Sequence, residues 1–130
     1  MRDIKFRAWD KQTKRLFQVQ TLQFYGTNNT VDACWTNGVD FDGESTLGEP
    51  ELNNLHNLVL MQYTGLKDKN GVDLYEGDIV KLNVPTYKTS TKVIHTLHDA
   101  FVLESNVESN DYIEILGNIH NNPELLEDYI

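Results

Sequence analysis

The sequence predicts an all-β or mainly β fold, a small barrel or sandwich of short strands with a short C-terminal helix. Three observations indicate this class: short apolar runs with a period of two or bounded by turn residues, frequent Gly, Asn and Asp turn signals, and a helix-start signal near the C-terminus. The 130 residues suit a single domain over 1–130, and neither a repeat nor a change of composition indicates a linker.

The N-terminal part predicts a β-hairpin followed by a less regular segment. Residues 4–9 alternate between apolar side chains and polar or aromatic ones, which predicts a strand with one face inward. A polar stretch over 10–14 separates it from an apolar run over 15–24, so we expect a hairpin with a connection of four or five residues. The segment 26–50 is rich in Asn-Gly and Asp-Gly steps, and we expect a loop-rich excursion there with fragments of strand.

The middle of the chain has the highest density of turn residues between apolar runs. The continuous apolar run over 58–63 predicts a strand buried on both faces. The Asn70-Gly71 step predicts a tight hairpin turn with two positive-φ positions, and Glu76-Gly77 predicts a second turn. Residues 79–84 alternate as a strand, which Pro85 ends because proline cannot donate to the ladder.

The C-terminal third predicts two further strand regions and a helix start. Residues 92–104 alternate, and the step at Asp99-Ala100 suggests a hairpin within them. A final strand covers 112–116. Asn122 then offers a cap and Pro123 the first position of a short helix, which is too short to be stable without packing on the rest of the protein.

The charge is negative and unevenly placed. The net charge is −9, which argues against sequence-independent nucleic-acid binding because that binding rests on Lys and Arg neutralising phosphates. Residues 1–15 hold six Lys or Arg against two Asp, whereas 16–66 hold six acids and 93–130 eight acids, neither with a base. This pattern suits a solvated acidic surface, or a basic end that meets the acidic end of a second subunit or of a partner.

The sequence favours a cytoplasmic location and no membrane. It has one cysteine, so no intrachain disulfide can form, and it shows neither a signal peptide nor an apolar stretch near 18 residues.

The first hairpin carries a basic patch with an aromatic residue, which is the candidate interface of this chain. Its members are Arg7, Trp9, Lys11, Lys14 and Arg15. Aromatic residues are enriched at the centres of protein interfaces, so a subunit contact is one interpretation. Stacking on single-stranded nucleic acid is another, and ordinary packing of Trp9 beneath 26–50 is a third.

No pattern predicts a catalytic residue, a cofactor or a metal ligand, so an uncharacterised enzyme is the third and least favoured hypothesis, which a buried pair of carboxylates in a deep pocket would support. His95 and His98 fall on opposite faces of the predicted strand and do not form a metal pair. Asp68, Asp73, Glu76 and Asp78 form an acidic cluster, but their spacing does not match a calcium loop, and turn chemistry explains them more simply. The glycines nearby predict turns and bulges, since neither a Gly-Lys-Ser/Thr step nor a helix follows.

Three segments together resemble one protein family. They are Met1–Asp10, the stretch from Leu60–Asp68 through Asn70-Gly71 to Tyr75–Val80, and Ile115–Ile119 followed by Asn122–Leu126. In order and spacing they resemble the YopX family of phage and prophage proteins of Gram-positive bacteria. The segments cover about a third of the chain and lie on both sides of the rest, and the segment 26–50 matches no part of the family pattern.

The resemblance implies oligomer formation and defines no catalytic residue, because the family has no established biochemical activity. We therefore expect a YopX-like domain that acts as a non-enzymatic phage accessory protein, forming a homo-oligomer and binding a host or phage protein. The alternative is an acidic modulator of nucleic-acid machinery, acting through the basic N-terminal hairpin or by imitating the charge of DNA.

Overall fold

The structure is a computed structural model that describes residues 3–25, 30–40, 51–52, 58–85, 88–107 and 109–126. It confirms a mainly β fold. The chain divides into two compact units, an N-terminal unit over Lys5–Met61 and a C-terminal unit over Met1–Ile4 with Gln62–Ile130.

The N-terminal unit is an antiparallel sheet. Its strands are β1 (Phe6–Asp10), β2 (Arg15–Tyr25), β3 (Thr30–Asp40) and β4 (Glu51–Leu52), in the order β4-β3-β2-β1. The predicted loop-rich segment 26–50 therefore contains an 11-residue strand over 30–40. Pairing with β2 explains this difference. β3 forms an antiparallel ladder with β2, and the bulges in that ladder accommodate the irregular sequence. Residues 26–29 and 41–50 lie outside the described part of the chain.

The first hairpin is confirmed, with four residues between its strands. Its register pairs Arg7 with Gln18 and Asp10 with Arg15. The Asp10 carboxylate accepts hydrogen bonds from the backbone N–H groups of Gln12 at 2.9 Å and Thr13 at 3.3 Å. An aspartate at the end of a strand thus satisfies donors that the turn leaves exposed.

Strand β1 differs from the prediction of one inward face. Arg7, Ala8 and Trp9 are all buried, and successive side chains of a strand point to opposite sides. Both faces of β1 are therefore covered.

The C-terminal unit holds the remaining strands and the helix. Strand β5 (Leu58–Lys67) begins in the N-terminal unit and ends here. The others are β6 (Asp73–Tyr75), β7 (Asp78–Leu82), β8 (Ser90–Val93) and β9 (Ile113–Asn118). β5 pairs with β6, and a second sheet has the order β8-β7-β9, all antiparallel. Both strand orders are linear, so no barrel closes among the described residues. The predicted C-terminal helix is a 3-10 helix over Pro123–Leu126.

Helix α1 (Leu97–Asn106) replaces the strand and hairpin predicted over 92–104. Thr96 caps it by accepting a hydrogen bond from the N–H of Asp99, and the Asp99 carboxylate accepts from the N–H of Thr96 in return. Ala100 and Leu103, three residues apart, lie on one face and are buried. The prediction was wrong because a short alternating window also satisfies a helical period, and the capping box decides between the two.

The helix packs onto the core of the C-terminal unit. This core consists of Leu74, Val80, Ile94, Ala100, Leu103 and Ile113. It joins β6, β7 and β9, the residue after β8, and the inner face of α1, so the helix orientation depends on this apolar cluster.

The turn between β5 and β6 is longer than the predicted two-residue hairpin. Gly71 has a φ of 81°, while Asn70 does not have a positive φ, so one left-handed position suffices. The N–H of Asp68 donates to Val72 O at 2.9 Å, and the N–H of Gly71 donates to Asp68 O at 3.0 Å. Residues 68–72 thus form a compact loop closed at both ends.

Candidate functional site

A groove of about 700 Å³ lies within the C-terminal unit, between helix α1 and strand β8. Its floor is apolar, formed in part by Val93, Ile94 and Leu103, which are buried. Val102 reaches the groove from the helix and is partly exposed. A concave apolar surface with few polar groups is the usual form of a binding site.

The rim of the groove is polar and carries two lysines. Lys88 and Lys92 line it and are exposed, and neither forms an ion pair with a carboxylate in the described part of the chain. His95 and His98 also line the groove, next to the start of the helix in sequence. The rim is therefore basic within a protein of net charge −9.

The carboxylate that also lines the groove is engaged by the backbone. Asp99 Oδ2 accepts hydrogen bonds from the N–H of His95 at 2.9 Å and from the N–H of Thr96 at 3.2 Å. Those two bonds belong to the cap of α1, so this charge holds the helix start in place.

Helix α1 also carries an exposed apolar face beside the groove. Phe101 is 65% exposed and Leu97 40% exposed, and the two lie four residues apart, on the same side of the helix. Single exposed apolar residues are common, but two neighbours with Val102 beside them form a patch. We call Leu97, Phe101 and Val102 the α1 patch.

The structure separates the five residues of the candidate interface. Arg7 is 3% exposed and Trp9 6% exposed, whereas Lys11 and Lys14 are exposed in the turn. The Arg15 guanidinium carbon lies 5.4 Å from the centre of the Phe17 ring, within the range of a cation–π interaction. A direct interface role for all five stays a prediction, and Trp9 has no exposed ring face for stacking on nucleic acid.

Two members of the acidic cluster in the middle of the chain, Asp68 and Asp78, bond backbone groups close by along the chain, which confirms the turn interpretation for these two. The Asp68 carboxylate accepts from the N–H groups of Asn70 and Val72, and Asp78 Oδ2 accepts from the N–H of Tyr75 at 2.8 Å. These acids point at backbone donors rather than at a common point. No group of three His, Cys, Asp or Glu able to hold a metal ion is found among the described residues.

The other two acids of the cluster join β5 to the region of β6. Glu76 Oε1 accepts from the N–H of Gln62 at 2.8 Å, and Asp73 pairs with Lys67 at 2.5 Å. Gly65 has a φ of 93°, which glycine adopts without strain, and it lies where the β5–β6 register shifts.

The groove is the feature that sequence reasoning missed. Its helical wall was predicted as a strand, so residues 97–107 were not placed opposite β8. The Thr-x-x-Asp step at Thr96–Asp99 was the available signal, since it is a capping-box pattern.

The described residues include no helix long and apolar enough to cross a membrane.

Comparisons with known proteins agree with this description. The chain resembles the crystal structure of protein EF1440 from Enterococcus faecalis, with a TM-score of 0.59 and 28% sequence identity over 97% of this chain and 99% of that one. A search of curated proteins finds no match. The family model described as YopX protein matches residues 5–127, nearly the whole chain. The chain therefore belongs to the YopX protein family.

Proposed function

We propose that this protein is a non-enzymatic accessory protein of a phage or prophage, which self-associates and binds a host or phage protein in the cytoplasm of the host cell. The α1 patch is the observation that carries the proposal. It places apolar side chains in water at a cost that burial in an interface would remove. Membership of the YopX family supports the phage origin.

Self-association through the α1 patch suits a two-fold interface. Such an interface sets the same surface of two copies against each other, and an apolar patch is complementary to itself whereas a charged one is not. The cap at Thr96 and the buried Ala100 hold the helix that presents the patch. A second copy can therefore meet a preformed surface without reordering the backbone.

The experiment compares the mass of wild type with that of two surface variants. Light scattering during gel filtration at micromolar concentration is expected to show an oligomer for wild type and a monomer for Phe101→Asp. Val72→Asp is the matched control, because Val72 is an exposed apolar residue on the loop between β5 and β6. A strict wild-type monomer would remove the self-association half of the proposal, and an oligomer unaffected by Phe101→Asp would remove the patch from it.

The alternative role on nucleic-acid machinery gains no observation in its favour. The aromatic residue that would stack on a base is Trp9, which is buried.

A further inference from the structure

We propose that the groove between α1 and β8 binds an extended acidic segment of a partner protein, with apolar side chains entering the groove and carboxylates meeting Lys88 and Lys92. The inference rests on the proposed function, that this protein binds another protein, and it adds where the partner binds and which residues of the partner are recognised. The groove shares Val102 with the α1 patch used for self-association, but Leu97 and Phe101 of that patch do not line it.

Charge selects an acidic ligand. Lys88 and Lys92 are exposed on the rim without a carboxylate partner in the described part of the chain, and Asp99 is engaged by two backbone N–H groups. The basic rim gives a local attraction for an acidic partner on a protein whose net charge is −9. Complementary charge of this kind sets the encounter rate and the register of binding.

The apolar floor selects a peptide over a small anion. Val84, Val102 and Val107 line the groove and are partly exposed, so they offer a hydrophobic surface that inorganic phosphate could not use. A segment that alternates acidic and apolar residues uses both parts of the site, because its apolar side chains leave water as its carboxylates reach the lysines.

The position of β8 selects an extended conformation. Among the described residues, β8 is an edge strand, because its sheet has the order β8-β7-β9. The N–H of Ile94 donates to Asp78 O at 2.9 Å, and Ile94 O accepts from the N–H of Gly77 at 2.6 Å, so the backbone of Ile94 faces the β7 side. Alternation along an antiparallel ladder then directs the backbone groups of Val93 to the outer edge. Edge strands beside a helix bind peptides by adding a strand to the sheet.

A displayed library of short random peptides, selected on the full chain, tests the inference. The selected peptides are expected to be rich in Asp and Glu interspersed with Val, Ile, Leu or Phe. Their affinity is expected to fall about tenfold or more on the variant Lys88→Glu/Lys92→Glu, by fluorescence polarisation. The matched control is Lys11→Glu/Lys14→Glu, which makes the same charge change on exposed lysines of the first hairpin and should leave the affinity within about twofold.

A second selection, on the Lys88→Glu/Lys92→Glu variant, should enrich basic peptides instead. Circular dichroism of each variant, compared with wild type, reports whether it is folded. The inference is overturned if no peptide enriches, if neutral or basic peptides dominate on wild type, or if the acidic peptides bind the variant as well as wild type. An unchanged oligomer in Phe101→Asp together with groove-dependent peptide binding would instead reject only self-association through the α1 patch.

Discussion

Removal of the Asp68 carboxylate tests whether the family segment in the middle of the chain is a determinant of the fold. Asp68 is 5% exposed, and its two oxygens accept three backbone hydrogen bonds. The N–H groups of Asn70 at 2.9 Å and Val72 at 3.0 Å close the local loop, and the N–H of Ile115 at 3.3 Å joins that loop to β9.

The expected loss for Asp68→Ala is about 3 kcal/mol of the free energy of unfolding. The Ile115 N–H is left without its acceptor in a partly buried strand, which costs about 1–3 kcal/mol. The two loop donors can turn to water, so each contributes about 0.5–1 kcal/mol. Asp68→Asn keeps one acceptor oxygen but replaces the other with a donor, and we expect about half the loss.

Urea unfolding followed by far-UV circular dichroism measures the effect. With a slope of about 2 kcal/mol per molar urea, the Asp68→Ala midpoint should fall by about 1.5 M. Exposed Asp111 supplies the control, and Asp111→Ala should stay within about 0.5 kcal/mol of wild type. The reasoning is refuted if Asp68→Ala unfolds like the control, because the carboxylate would then contribute to something other than the fold.

Two further changes test the C-terminal turn and the helix start. A Cβ on Gly117 would lie 2.3 Å from Asn122 Oδ1, which accepts from the N–H of Asn118, so Gly117→Ala should lose about 2 kcal/mol. Combined with Asn122→Ala, it should lose less than the sum of the two, and additive values in a double-mutant cycle would contradict the clash. Thr96→Ala should lose about 1 kcal/mol in urea unfolding through its cap, and Thr96→Ser should restore most of it. Equal stability of the Ala and Ser variants would contradict the capping role.

The strands and turns were largely predictable because their signals are local. The alternation over 79–84 predicted a strand, and β7 occupies Asp78–Leu82. The hairpin of β1 and β2, which closes at Asp10 and Arg15, was also predicted, because a short polar stretch separates two apolar runs. The 97–106 segment was not predictable from alternation alone, since a few residues satisfy both periods. The Thr96–Asp99 capping box and the burial of Ala100 and Leu103 against the core distinguish the helix from a strand.

The candidate site was much less predictable than the fold. Arg7 and Trp9 were expected on an exposed face from the strand period, but coverage of a second face depends on contacts remote in sequence. The groove brings Lys88, which precedes β8, and Lys92, which lies on β8, together with Val102 and Asn106 of helix α1, and these residues have no common local pattern.

Asp68 shows which features the sequence determines and which depend on the tertiary structure. The sequence by itself determined its loop, because one carboxylate oxygen bonds N–H groups within four residues along the chain. Only the tertiary structure decided that the other oxygen accepts from Ile115, 47 residues away, and that α1 packs beside β8 to form a groove. The hydrogen bonds of a turn join residues a few positions apart, so the order of residues along the chain predicts them. Packing depends on which apolar faces meet once the chain is folded, and the order of residues alone does not show this.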